Sequence, residues 1–555
     1  MEIIDQHVKA IMEGCKERAR DAGLSFEDET LEYVVTNRDM VELSPKVMMP
    51  TLYDYWVHDV RVLSGKGMYE LYPNNPYETV INTRPAISFY NDNNPDWLNV
   101  MIFYHVLGHI DFFQNNLFFK HTWDIDFNGQ ALADKRLIAR YRSEKGRWVD
   151  YIIEFARGID NLVGYHDTIS RTTRRGQAKR LTPFDYYFDI FLQREKGFSH
   201  NEYLKEIERY NQTLATHPDD TEDPFFIDVR IKFPEFDAFY KRYLEKKERG
   251  RPDVLQFIMD HSTFLNKEEN KWMKSVISVV RKTSLFLQPQ IRTKIMNEGW
   301  ASYWHETLFM GDDRIKGHEV DFAKVNAGVT AMPKVGLNPY ALGMRLLYHI
   351  EEMENRGCYS LEYDLIKDEI KQKAYDSGFS IGRERIFAIR ENLCDFTFIN
   401  TYIDQEFMQR HNLFVTGKRL NRQRKSWEYY VKSRSADAYR DMVVETLYHP
   451  PGIKVNFEKT DQGPLYLEHT FEGKPLKTDF IENTLVGIEY LWGRSVRLET
   501  SEPVKASTPQ QRYVDFWSPP SPAIATTARE KEKEPVEWKR VLYVMEDRKM
   551  LKRGV

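Results

Sequence analysis

From Trp97 to Phe119 apolar residues recur at helical spacing and leave no polar face, which predicts a helix buried on all sides. The same periodicity predicts helices over Tyr141–Tyr165, Asp253–Leu265, Trp272–Leu287, Pro289–Met310, Tyr340–Glu354, Leu361–Ala374 and Ser380–Phe414. Met1 to about Leu43 reads as helix, loop and helix of mixed charge. Around Pro50–Tyr90 the texture changes. Tyr77–Asn82 and Ala86–Tyr90 are β-branched or aromatic runs flanking Thr83-Arg84-Pro85, and they predict a short strand pair. Asn91–Pro95 is a turn cluster, and Asp96 is placed to cap the helix after it. Thr416–Lys425 reads as a polar linker rich in Arg and Lys. After Pro450-Pro451-Gly452 the runs Ile453–Phe457, Tyr466–Glu472 and Val496–Leu498 predict a small α+β module, with Val541–Met545 as an added edge strand. Glu502–Pro535, rich in Pro, Ser, Thr and charge, is expected to be disordered.

The fold class is therefore mainly α-helical with minor β (α+β): a large helical, zincin-like N-terminal domain and a small C-terminal α+β module. The expected boundaries are 1–415 for the helical domain, 416–450 for a charged linker and helix, 451–500 for the module and 501–555 for the tail.

Composition narrows the classes. Tyr 32, Phe 33 and Trp 11 in 555 residues supply rings for a sizeable core and exclude a fibrous or disordered chain. Mean hydropathy is -0.60, and no apolar run approaches the roughly 20 residues of a membrane span. Met1–Gln6 lacks the basic and apolar regions of a secretory signal, so a cytoplasmic location is expected. Cys15, Cys358 and Cys394 are too few for a disulfide framework or a four-cysteine zinc ribbon. Lys+Arg 79 against Asp+Glu 84 gives -5, so no global basic charge recruits nucleic acid. The local patches Arg171–Arg180 and Lys418–Lys425 lack interleaved stacking aromatics and, like the acidic run Asp219–Asp223, read as solvated surface. No nucleic-acid partner is expected.

Chemistry concentrates in two strings. In Tyr104-His105-Val106-Leu107-Gly108-His109 two histidines stand four apart, so a helix projects both imidazoles from one face, about 5–6 Å apart. Their apolar setting makes two partnerless imidazoles costly, which favours a shared ion such as zinc. In Asn297-Glu298-Gly299-Trp300-Ala301-Ser302-Tyr303-Trp304-His305-Glu306 the residues Glu298, Ser302 and His305 line one helical stripe among large rings. Combined, His105, His109 and Glu298 form the two-His-plus-carboxylate set of thermolysin-like zinc hydrolases; iron or manganese would also suit it. Those enzymes read H-E-x-x-H, with the Glu as base; here that position is Val106. The base is left open among Glu298, Glu306 and Asp111. Ser302, Tyr303 or His305 is placed to stabilise an oxyanion, and His305 as a fourth ligand would make the centre closed and structural. Gly378-Phe379-Ser380-Ile381-Gly382 matches a nucleophile elbow as a string, but a helix is predicted before it, so Gly378 reads as a C-cap and Ser380 as an N-cap. His166-Asp167 is a weaker candidate near the metal.

The strings His105–His109 with Asp111–Asn116, Gln288–Lys294 running into Met296–His305, Tyr77–Pro85, Asn338–Gly343 and Leu491-Trp492-Gly493 resemble the stage V sporulation protein R (SpoVR-like) family. The resemblance spans about Pro50 to Leu498 and leaves out the tail after Glu502. It implies a role in spore cortex formation or, in organisms without spores, in stress or starvation physiology. It also implies partners: an AAA+-type serine protein kinase and a von Willebrand A-like protein. The charged segment Arg171–Asp223 departs from the family pattern, so partner contacts there are expected to differ. Two functions are open on the residues: a metal-dependent hydrolase acting on an amide bond of a peptide or cell-wall precursor, or a non-enzymatic assembly protein whose His/Glu cluster is structural.

Overall fold

A computed structural model of the chain describes residues 2–27, 29–36, 78–122, 127–163, 183–188, 191–192, 196–198, 200–216, 222–241, 253–421, 426–460, 463–504 and 537–554. The expected strand pair is present: β3 (Glu78–Ile81) and β4 (Ala86–Asn91) are antiparallel neighbours in a sheet of order β1-β2-β4-β3. Its other strands are β1 (Glu2–Ile3) and β2 (Thr30–Val35), with α1 (Gln6–Asp21) between them. The helices that bear or pack around the candidate site are α2 (Asp96–Asn115), α6 (Lys294–Phe309), α7 (Glu319–Val329), α8 (Pro339–Arg356) and α9 (Gly382–Asn392); between α2 and α6 in the chain come α3 (Phe127–Lys145), α4 (Trp148–Arg157) and α5 (Lys271–Arg292). The chain is mainly helical with minor β, as expected. Among the described residues no helix is long and apolar enough to cross a membrane.

Two compact units divide the chain: Met1–Val163 with Val254–Val555, and Gly164–Asp253. The smaller holds the helices His200–Thr216 and Glu222–Lys232 and its own aromatic core of Tyr186, Tyr187, Phe191, Phe225, Phe226 and Phe236. The larger has two cores. One gathers α1, α2, α6, α8 and α9. The other packs α4, α5 and the helix Val254–His261 against a five-stranded sheet of order β11-β10-β9-β8-β7 and the helix α10 (Thr478–Trp492). The strands are β7 (Gly452–Val455), β8 (Leu465–Thr470), β9 (Val496–Pro503), β10 (Trp538–Glu546) and β11 (Lys549–Gly554).

Several details differ from the periodicity. Tyr141–Tyr165 is not one helix: α3 ends at Lys145 and α4 runs over Trp148–Arg157. Leu361–Ala374 splits into Leu361–Asp364 and Glu369–Lys373, and Ser380–Phe414 into α9, Asp395–Tyr402 and Gln405–Arg410. Local caps cut those runs; Asp404, for example, accepts the Phe407 N–H at 2.7 Å. Pro95, not Asp96, is the residue before α2. Ser380 caps nothing, since Ile381 precedes α9; a short helix rather than a strand lies before Gly378, which removes the nucleophile elbow. The supposed linker Thr416–Lys425 begins as a strand: β5 (Val415–Asn421) pairs with β6 (Ser426–Ser433). It has almost no apolar residues to alternate, so hydropathy could not announce it. Val541–Met545 is an interior strand rather than an edge, because the polar β11 pairs outside it. His166-Asp167, Arg171–Arg180, Arg422–Lys425, residues 37–77 and residues 505–536 lie outside the described residues.

Candidate metal centre

Helix α2 is buried from Leu98 to Phe113, as its all-round apolar pattern requires. Two contacts draw α6 against its neighbours at backbone distance. A Cβ on Gly108 of α2 would lie 2.8 Å from the Ala301 Cα; one on Gly299 would lie 2.4 Å from the Gly343 carbonyl carbon of α8. Only residues without a side chain allow that approach. The first turn of α6 is held by Asp395, whose oxygens accept the Ile295 and Met296 N–H groups, each at 2.9 Å. Burial pushes that carboxyl up to about 7 in spite of these bonds.

The result brings together the three residues that the sequence singled out. His105 Nε2 and His109 Nε2 stand 3.1 Å apart, and Glu298 Oε2 lies 3.6 Å from His109 Nε2 and 4.0 Å from His105 Nε2. One ligand atom from each of the three falls within 4.8 Å of the others. Two nitrogens bound to one tetrahedral zinc at about 2.0–2.1 Å would be about 3.3 Å apart, so the imidazole spacing fits such an ion.

Hydrogen bonds behind the site set the tautomers. The Asn326 amide donates to Glu306 Oε2 at 2.7 Å, which turns its oxygen to His305 Nε2 at 3.0 Å. That oxygen only accepts, so His305 Nε2 carries the proton and His305 Nδ1 is an acceptor. It takes the Nδ1–H of His105 at 2.9 Å. On the other side His109 Nδ1 donates to Asn297 Oδ1 at 2.9 Å. In that arrangement both Nε2 atoms turn toward each other and toward a carboxylate, which suits a shared cation. Burial and the neighbouring histidines hold the His105 pKa well below its usual range, and burial takes His305 down to about 4. Neutral imidazoles are the metal-binding form.

The remaining candidates sit elsewhere. Both nitrogens of His305 are engaged, by His105 and Asn326, so it is not arranged as a fourth ligand. Glu306 reaches the site only through Asn326 and His305. Tyr303 donates its hydroxyl to Glu351, and the Ser302 hydroxyl is buried without a hydrogen bond. Asp111 accepts from the Ser25 N–H and the Trp300 indole, each at 2.8 Å, and lies 3.5 Å from Arg390; it ties the segment after α1 to α6 instead of facing the centre. Asn297 and Asn326 were missed. Asn297 adjoins Glu298 in the same string, whereas Asn326 stands in α7 with no sequence signal. Asn326 and Glu306 also line a cleft of about 600 Å³ with Phe322, Thr330 and Arg345, where the hydrogen-bonded chain from His105 ends.

The profile of the SpoVR like protein family matches residues 3–449. The uncharacterized protein YcgB of Escherichia coli (strain K12) is 24% identical over 489 residues, covering 84% of this chain and 86% of the relative. No solved structure matches the chain.

Proposed function

The chain belongs to the SpoVR family, and from that premise we propose that it is a metal-dependent hydrolase of amide bonds whose centre is His105, His109 and Glu298. The observation that carries this is the pair of Nε2 atoms 3.1 Å apart beside the Glu298 carboxylate, 3.6 Å from the nearer of them. Three protein donors with one position left over are the pattern of catalytic rather than structural zinc. Zinc is the first choice, with iron or manganese admitted by the same donors. When bound, such an ion supplies Lewis acidity and lowers the pKa of water toward about 7.

The residues of the chain do the rest. Asn297 and the His305–Asn326–Glu306 chain hold both imidazoles in the ligating tautomer. Val106 replaces the usual base, so Glu298 and Glu306 are the proton-carrying candidates, Glu306 from the cleft through Asn326 and His305. A peptide or cell-wall precursor is the substrate class, and sporulation or stress physiology the setting. The deep burial of His105 and His109 favours a second reading, a structural metal in an assembly protein that works with an AAA+-type serine protein kinase and a von Willebrand A-like protein.

Elemental mass spectrometry of the purified chain, beside His105→Ala and Glu298→Gln, tests the centre. Near-stoichiometric metal lost in both variants is expected. A metal-free wild type that stays folded under chelator would sink the metal readings together. Metal present with no turnover across a panel of amide substrates, and the kinase co-purifying, would leave the assembly reading.

A further inference from the structure

Strands β5 and β6 form a sheet of their own, with no third strand among the described residues. Both faces of β6 are largely open to solvent. Direct pairs across the ladder are Lys418 with Tyr429 and Leu420 with Trp427, which puts Lys418, Trp427 and Tyr429 on one face. On that face Trp427 is 57% and Tyr429 55% exposed. The Lys418 ammonium stands 4.7 Å from the Trp427 ring centre and 6.0 Å from that of Tyr429. On the other face Tyr430 lies across Gly417, where a Cβ would meet its ring at 2.3 Å, and the Arg419 guanidinium is 5.7 Å from its centre. The two strands carry Lys418, Arg419 and Lys432 against Glu428, a local charge of +2 in a chain whose total is -5.

Rings that stabilise a fold are covered by it; here three are left exposed on the smallest sheet among the described residues. Against the expectation of no nucleic-acid partner, the geometry points to a binding site for single-stranded nucleic acid on the Lys418–Trp427–Tyr429 face, because the pairing of β6 with β5 supplies the rings that Lys418–Lys425 itself lacks. Two aromatic side chains at alternate positions of one strand offer successive platforms for unstacked bases, and the interleaved cation meets the phosphates. A membrane-inserting device would gather a continuous apolar face with its cations outside it; here the cation sits between the rings. An extended polyanion therefore fits better than a lipid surface. This site is independent of the metal centre.

The test is fluorescence anisotropy of a labelled 20-nucleotide deoxythymidine oligomer with the full chain at 50 and 200 mM salt. Binding should weaken as salt rises, and Trp427→Ala and Tyr429→Ala should each raise the Kd about tenfold. Lys418→Gln should flatten the salt dependence by about 0.7 log units per log unit of salt. A duplex of the same length, whose bases are already stacked, should bind less tightly. To keep the test valid where a variant fails to fold, wild-type protein is also cross-linked by ultraviolet light to an iodouridine-bearing oligomer and mapped by mass spectrometry. Attachment within 426–433 supports the site. No binding of the oligomer at low salt, equal binding by folded ring variants, cross-links elsewhere only, or binding of phosphatidylserine vesicles in place of the oligomer would overturn it.

Discussion

Asn326 gives its amide hydrogen to Glu306 and its oxygen to His305, and by doing so decides which nitrogen of His105 bears a proton. Removing that orientation leaves the donors in place but lets the imidazole choose the wrong tautomer. Asn326→Ala and Asn297→Ala should each lower zinc affinity about 10–100-fold while the fold melts normally, as read by competition with a chromophoric chelator. A second residue makes its case through pH. Asp312 is buried and accepts from the Tyr104 hydroxyl at 2.6 Å and from Arg314, and these bonds hold its carboxyl down at about 2 against an ordinary 3.8. A folded pKa below the unfolded one stabilises above the unfolded value and loses that contribution as pH falls through the folded one. Of the stability lost between pH 4 and pH 2 in urea denaturation, about 2 kcal/mol should come from this group, and Asp312→Asn should remove that share of the slope. At this scale the sequence was readable where chemistry repeats. His105 and His109 announce themselves by spacing, and Glu298 by a carboxylate among rings. Asn326 does not, because a carboxamide in an ordinary helix acquires its meaning only from what folding places beside it.

Between elements the controlling feature is the absence of side chains. Gly299 and Gly343 face each other across α6 and α8, and Gly108 meets Ala301 across α2 and α6. The obstructing atoms belong to backbone, which cannot swing aside as the end of a long side chain would. Gly299→Ala should cost about 3 kcal/mol, at the upper end for overpacking. It should also reduce metal binding by moving Glu298 away from the histidines, so the loss of metal and the fall in midpoint would appear together. Helices of this kind were legible in the sequence because burial on all sides writes a long apolar run. Their ends were less so: Ser380–Phe414 carries one continuous pattern, and Asp404 starts a new helix by an N-cap that periodicity averages over. The β5–β6 pair was invisible for the opposite reason, since strands exposed on both faces have no hydrophobic alternation to read.

For the whole molecule, a bound ion that exists only in the folded state adds stability by mass action. Dialysis against chelator should lower the thermal midpoint of wild type by several degrees at pH 7 and leave His105→Ala unmoved, as measured by calorimetry. The second core carries its own share of the stability, with Met545 fully buried in it; Met545→Ala should cost about 2–5 kcal/mol in chemical denaturation. Fold class was legible at this scale, and so was the grouping of His105, His109 and Glu298. That Val149 and Ile152 of α4 share a core with Val541 and Met545 was not, since nothing local in either segment names a partner roughly 390 residues away. The order in which that core is made has a cost in time. Strand β9 pairs with β10 along eight registered residues, yet 34 residues separate Pro503 from Trp538. At about 5–20 residues per second the ribosome needs about 2–7 s to deliver β10. Through that interval in every round of synthesis β9 is an open edge beside an unfinished core, the moment at which a nascent chain is most exposed to pairing with its neighbours on the same messenger.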